Sequence, residues 1–118
     1  MIRKATPALL TALLALAARP LPATADDAKL RAYGKHLSAE CSACHRIDGV
    51  DNGIPSITGW NVEDFVKTLH FYRNGSRTNA AMISVAQSLD DEHVRALAAY
   101  YASLPKAPRQ NPPPMPRK

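Results

Sequence analysis

The chain has 118 residues, 46% of them hydrophobic, with 15 Lys and Arg against 10 Asp and Glu; this length holds one domain and excludes a multidomain organisation. The formal net charge of +5 is unevenly placed: Arg3, Lys4 and Arg19 fall within residues 1–25, and Lys106, Arg109, Arg117 and Lys118 within 105–118. Residues 26–104 carry more acidic than basic side chains, so the charge does not describe a basic face on a fold, and no nucleic-acid partner is expected.

The first stretch, "MIRKATPALLTALLALAARPLPATA", has a basic start, an apolar run from Ala8 to Ala18 and a small-x-small end at Ala23-Thr24-Ala25. That order is the pattern of a secretory signal cut after Ala25. The apolar run is shorter than the ~20 residues that cross a bilayer, and Pro20 and Pro22 interrupt any helix. The expectation is a cleaved signal peptide at 1–25, a periplasmic protein and no stable membrane insertion. The domain then covers 26–104. A core this small buries only about 60% of its unfolded surface and needs help from disulfides, a metal or a large cofactor.

Three helices follow from apolar spacing. Over 27–40, Leu30, Tyr33 and Leu37 share a face, with Asp26 or Asp27 as the cap. Over 62–73, Val62, Phe65, Val66, Leu69 and Tyr72 repeat at helical intervals, with Asn61 as the cap, Glu63 and Asp64 in the first turn and Gly75 as the stop. Over 91–103, Val94, Leu97, Ala98 and Tyr101 form the apolar face, Asp90 caps it and Pro105 ends it. Ser88 with Asp91 is a competing capping box. A short helical turn is predicted at 81–87. Residues 46–60 and 74–80 read as loops, and no strand alternation or repeat is present. The tail 105–118, with five prolines in "KAPRQNPPPMPRK", is predicted to be extended or disordered.

The only cysteines are Cys41 and Cys44, in "CSACH". Two thiols three positions apart are compatible with a disulfide, a redox dithiol, half of a zinc site or covalent haem attachment. A thioredoxin-like dithiol lacks its βαβ context here, and a zinc site lacks a second ligand pair. Haem presents two vinyl groups to which thiols at this spacing add, and a histidine directly after the second cysteine is carried under the iron. His45 is the residue that favours this reading.

A second axial ligand is sought among Met82, Met115, His36, His70 and His93. Met115 lies in the tail, and His36 precedes Cys41 on the same helix. His70 lies off the apolar stripe of its helix, and His93 sits in a first turn where it can bond its cap. Met82, 37 residues after His45, is the candidate, brought over the site by the loop before it; the alternative is a core methionine. Met/His ligation raises the reduction potential and leaves no open coordination position, which favours one-electron transfer.

With these residues in view, the chain resembles the small bacterial class I cytochromes c over about 27–104. The resemblance rests on Gly34 and Leu37 before "CSACH", then "GIPSITGW", then "NGSRTNAAMISVAQSLDDEHVRALAAYYASLP". It implies an all-α cytochrome c fold, three main helices and a short turn around one covalent haem c and its iron. Cys41 and Cys44 would be the thioether residues and His45 and Met82 the iron ligands. Pro55 would orient His45 through its carbonyl, and Trp60 and Arg77 would contact the haem propionates. The first helix, at Gly34 and Leu37, would cross the last at Leu97 and Tyr100 or Tyr101.

Two features depart from the family. The His45–Pro55 loop is short, which exposes one haem edge, and His93 replaces an acidic residue. "IPSITGW" is also similar to the haem subunit of flavocytochrome c sulfide dehydrogenase. The implied function is a periplasmic one-electron carrier that is not an enzyme, with redox proteins as partners. The alternatives are an electron-transfer subunit beside a flavoprotein or other dehydrogenase, and a thiol–disulfide oxidoreductase.

Overall fold

A computed structural model describes residues 24–107. Most of the predicted signal peptide, and the tail from residue 108 with Met115, lie outside the described residues. Four helices occur in chain order: α1 (Ala25–Ser42), α2 (Val62–Arg73), α3 (Ala80–Ser88) and α4 (Asp91–Ser103). No strand occurs among the described residues, and none of these helices is long and apolar enough to cross a membrane. The all-α expectation therefore holds.

The bounds of α2 and α4 match their apolar spacing, and Asn61 and Asp90 cap them as expected. Asn61 Oδ1 accepts the Glu63 and Asp64 N–H groups at 2.8 and 3.4 Å. Asp90 Oδ1 accepts the His93 N–H at 2.8 Å, and the His93 ring lies 3.4 Å from the Asp90 nitrogen in return. His93 thus fills the capping-box position usually held by Glu or Gln. Ser88 is not the cap: its hydroxyl donates to Val85 O at 2.7 Å, inside α3.

The start of α1 corrects the sequence reading. Thr24, not Asp26 or Asp27, is the cap; its hydroxyl accepts the Asp27 N–H, and the Asp27 carboxylate accepts the Thr24 N–H. Threonine with a carboxylate three residues on satisfies two otherwise orphaned donors, which an isolated Asp26 cap does not. The predicted cut after Ala25 thus falls one residue into α1. It would remove Thr24 and leave Asp26 and Asp27 in the first turn.

The closest helix pair is α1 with α4, and it meets at Gly34. A side chain there would run into the Ala96 carbonyl and Tyr100 Cβ. Glycine opposite a buried alanine lets the two backbones approach closely. The expected crossing is therefore observed, with Tyr100 as the residue opposite Gly34. Tyr101 instead lies in the core, wholly buried, and stacks on Phe65 of α2 with ring centroids 5.7 Å apart. Around that pair sit Ile57, Leu69, Val94 and Leu97. Burying each large apolar side chain is worth roughly 1.5–3 kcal/mol, whereas the buried Ala86, Ala96 and Ala98 contribute little.

Tyr101 also fixes the loop between α1 and α2. Its carbonyl accepts the Gly59 N–H at 2.8 Å. Gly59 has φ +69°, and a Cβ there would meet the Lys106 backbone; only glycine fits this contact without strain. The Tyr101 hydroxyl donates to Ser38 O at 3.5 Å and lies 3.3 Å from Ser42 Oγ. Burial pushes this phenol up to about 12.

A group whose pKa is raised on folding contributes stability that is present below its unfolded value near 10 and lost as pH rises through 12. Denaturant titrations of the wild type are expected to show a loss on the order of 2 kcal/mol across that window. The same titrations of Tyr101→Phe are expected to lack this component; an identical pH profile in the variant would contradict the assignment.

Candidate functional site

Cys41 is in the last turn of α1, and the chain continues helically past it. The Cys44 and His45 N–H groups both donate to Cys41 O, at 3.2 and 2.8 Å. Residues at i, i+3 and i+4 of a helical turn share one side, so Cys41, Cys44 and His45 open onto a single cavity of about 300 Å³. The cavity is walled by apolar side chains from three helices and the 46–60 loop. Phe65 and Leu69 come from α2, Val85 and Leu89 from the α3 segment, Leu97 from α4, and Ile54 and Ile57 from the loop. Met82 lines the same space.

The His45 Nδ1–H donates to the Pro55 carbonyl at 2.7 Å. That bond fixes the tautomer in the neutral ring and leaves Nε2 as the unprotonated nitrogen, the form that binds a metal. The carbonyl comes from the loop, where Asp48 and Asp51 accept backbone N–H groups two residues on. Such local turns bend a short connection back toward its start.

The two cysteines are free thiols, Cys41 half-buried and Cys44 exposed. Burial pushes the Cys41 thiol up, outweighing its hydrogen bond with Tyr101. An activated nucleophilic cysteine is shifted in the opposite direction. Among the described residues no three His, Cys, Asp or Glu side chains gather as ligands for one metal ion.

Met82 reaches the cavity from the helical segment expected after the 74–80 loop. Helix α3 starts one residue before the predicted turn at 81–87 and runs one residue beyond it. Asn79 caps it and takes the Met82 N–H on Oδ1 at 3.0 Å. Asparagine before "AAMISVAQ" is the signal that extends the turn into a helix. The other candidate ligands in the described region do not line the cavity: His36 is exposed, His70 lies 3.5 Å from Asp91, and His93 caps α4.

Trp60 and Arg77 both border the cavity. The Trp60 indole N–H donates to Ser56 O at 3.0 Å. Arg77 lies over the Tyr72 ring at 4.9 Å and pairs with no carboxylate among the described residues. Of the two, Arg77 therefore has donors to offer an anionic group. The apolar wall from Leu69, Val85 and Leu89 was not singled out as part of the site in the sequence. Its signal was the α2 stripe and the run "AMISVA", which read equally well as plain core.

The residues fit a covalently attached haem on chemical grounds. Two thiols, an imidazole with its outer nitrogen held, and a thioether share one mostly apolar cavity, and at its border stands the Arg77 guanidinium, which pairs with no carboxylate among the described residues.

No protein-family model matches the chain. It is 37% identical over 82 residues to the thiosulfate dehydrogenase electron acceptor of Thiomonas intermedia, covering 67% of this chain and 37% of that protein. It is 36% identical over 74 residues to the cytochrome subunit of sulfide dehydrogenase of Chlorobaculum tepidum, covering 62% of this chain and 67% of that one. It is 37% identical over 79 residues to cytochrome c-554(548) of Halomonas halodenitrificans, covering 61% of this chain and 93% of that one. The chain thus spans little more than a third of the Thiomonas protein and nearly all of the Halomonas one.

Proposed function

The chain belongs to the small class I c-type cytochromes, and from that premise we propose that it is a periplasmic one-electron carrier. In this reading Cys41 and Cys44 hold haem c through thioethers, and His45 and Met82 are the iron ligands. The observation that carries it is the opening of all four side chains onto one apolar cavity, with His45 Nδ1 bonded to Pro55 O. When bound, the haem supplies a one-electron couple between ferrous and ferric iron.

The chain's own residues set how that couple behaves. Pro55 holds the His45 ring in the tautomer that ligates and increases its basicity. The Met82 thioether would be the second ligand to the iron, and a soft sulfur there would favour the reduced state. Phe65, Leu69 and Leu97 exclude water from the cavity, which limits reorganisation on electron transfer. Arg77 would take a propionate, and Trp60 would add packing, since its N–H is already committed to Ser56.

Cys44, Ile54 and Pro55 are exposed where they border the cavity, and Ile47 and Val50 on the same loop are 49% and 39% exposed. These exposed apolar side chains would form the surface for transient docking of redox proteins. No substrate bond is made or broken, so the chain is a carrier and not an enzyme.

In the domain organisation of this reading, a signal peptide at 1–25 precedes the haem domain at 26–104, and the Pro-rich tail follows at 105–118. Two of the relatives are named for dehydrogenases. A second reading therefore places the chain beside a dehydrogenase, including a flavoprotein, as its electron-transfer subunit; purification from the native host with a second, stoichiometric chain would favour it. The raised Cys41 thiol and the all-helical setting count against a thiol–disulfide oxidoreductase.

The test is the visible spectrum of the exported protein. A Soret band, and haem that stays with the polypeptide on a denaturing gel, are expected; a colourless folded protein would refute the reading. Met82→Ala is expected to abolish the weak far-red band that a thioether gives ferric haem. Its reduction potential should fall by on the order of a tenth of a volt, within the ~0.8 V that axial ligands span. Persistence of the band would remove Met82 as a ligand.

A further inference from the structure

Helix α3, which carries Met82, packs among the described residues against α2 and no other helix. Its start is capped by Asn79. Its end, where helix carbonyls lack internal partners, is gripped from α2. Arg73, in the last turn of α2, donates through Nε to Ala86 O at 3.4 Å and through Nη2 to Leu89 O at 2.8 Å. Through Nη1 it also donates to Asp91 Oδ1, in the first turn of α4, at 2.6 Å. His70 Nε2 lies 3.5 Å from the same carboxylate.

From this geometry we propose that Arg73 is the positioning residue for Met82: it ties the end of α3 to α2 and to the start of α4, so that the Met82 sulfur is held at the haem site. The inference rests on the reading of Met82 as an axial ligand. Ala86 lies four residues after Met82, hence on the same face of α3, and it is fully buried. A shift of the Ala86 carbonyl therefore carries Met82 with it. The guanidinium sits at a helix C-terminus, where positive charge is favourable. Its planar fork reaches three acceptors on two segments at once, which a lysine ammonium on a flexible stem does not reproduce. The same contact holds the Asp91 carboxyl below its usual range, first through the Arg73 hydrogen bond and then through its charge.

The experiment uses the haem-loaded full chain and exogenous imidazole, which competes with Met82 for ferric iron. The variants are Arg73→Met, Arg73→Lys and Asp91→Asn, and Asn61→Ala serves as the control. Asn61→Ala removes the cap at the opposite end of α2 and destabilises the fold without touching α3. Haem content, thermal midpoint, the far-red band and imidazole affinity are read for each.

Arg73→Met is expected to keep its haem and bind imidazole about tenfold more tightly than wild type. Arg73→Lys should fail to restore the wild-type value. Asp91→Asn should shift in the same direction by less, and Asn61→Ala should leave imidazole affinity unchanged despite its lower thermal midpoint. Unchanged affinity in Arg73→Met overturns the proposal, as does an equal gain in Asn61→Ala. If Arg73→Met does not fold, Arg73→Lys and Asp91→Asn decide: wild-type affinity in both overturns it. A far-red band that is lost in Met82→Ala, together with unmoved affinity in the Arg73 variants, refutes the Arg73 role alone. A band that persists in Met82→Ala refutes both readings.

Discussion

Replacing Gly34 by alanine is expected to destabilise the domain, although helix propensity argues the other way. Alanine is favoured over glycine inside a helix by about 1 kcal/mol. Against this, the added Cβ would overlap the Ala96 carbonyl and press on Tyr100 Cβ. Neither is the movable end of a flexible side chain, so α1 and α4 must separate. Overpacking of that kind typically costs 1–3 kcal/mol, and more where backbone blocks relief. The packing term wins, and the net loss should be about 2 kcal/mol for alanine, or roughly 10 °C in Tm for a domain of this size.

Gly34→Val adds two further carbons at the same point and should not yield a folded domain at all. Cys41 lies seven residues further along α1, two turns from the crossing, so a displaced α1 also displaces the thiols. Circular dichroism melts of Gly34→Ala and wild type, both carrying haem, provide the check. Equal or higher stability in Gly34→Ala would mean that the helices do not approach as closely as Gly34 and Ala96 imply.

What was legible in the sequence divides along physical lines. Helices α2 and α4 were legible because each has a full apolar stripe and a local cap, Asn61 and Asp90, encoded within a few residues. The joint presence of Cys41, Cys44 and His45 at one site was legible because one helical turn fixes their spacing. The extent of α3 was underestimated because its sequence is apolar nearly all round, so periodicity gives no face and only the Asn79 cap marks its start. The Thr24 cap was hidden because the residue belongs to a stretch that also reads as the end of a signal peptide. The choice between Tyr100 and Tyr101 against Gly34 depends on the rotation of α4 at the crossing, which adjacent tyrosines cannot reveal. The Arg73 grip was not legible: its acceptors are 13, 16 and 18 residues away, and two are main-chain carbonyls that leave no trace in residue identity.

Replacing Cys41 and Cys44 together by alanine is expected to yield a chain with no covalent haem and little stable fold. A closed void costs about 24 cal/mol per Å³, so a space near 300 Å³ would cost on the order of 7 kcal/mol if left unfilled. The cavity is partly open, and water or collapse of α3 recovers some of this. Total stabilities of domains are only 5–15 kcal/mol, and the apolar core here is small. The same polypeptide is therefore expected to depend on the group that fills its centre, as small metal- and cofactor-bound domains do.

Single substitutions separate attachment from filling. Cys41→Ala and Cys44→Ala each leave one thiol to form a thioether and should retain haem at reduced yield. The double variant should show no haem stain on a denaturing gel, and its helical signal should be lost or melt far below that of wild type. A double variant that folds without colour and melts like wild type would show that the cavity needs no occupant. Haem still covalently bound in the double variant would show that attachment lies elsewhere in the chain.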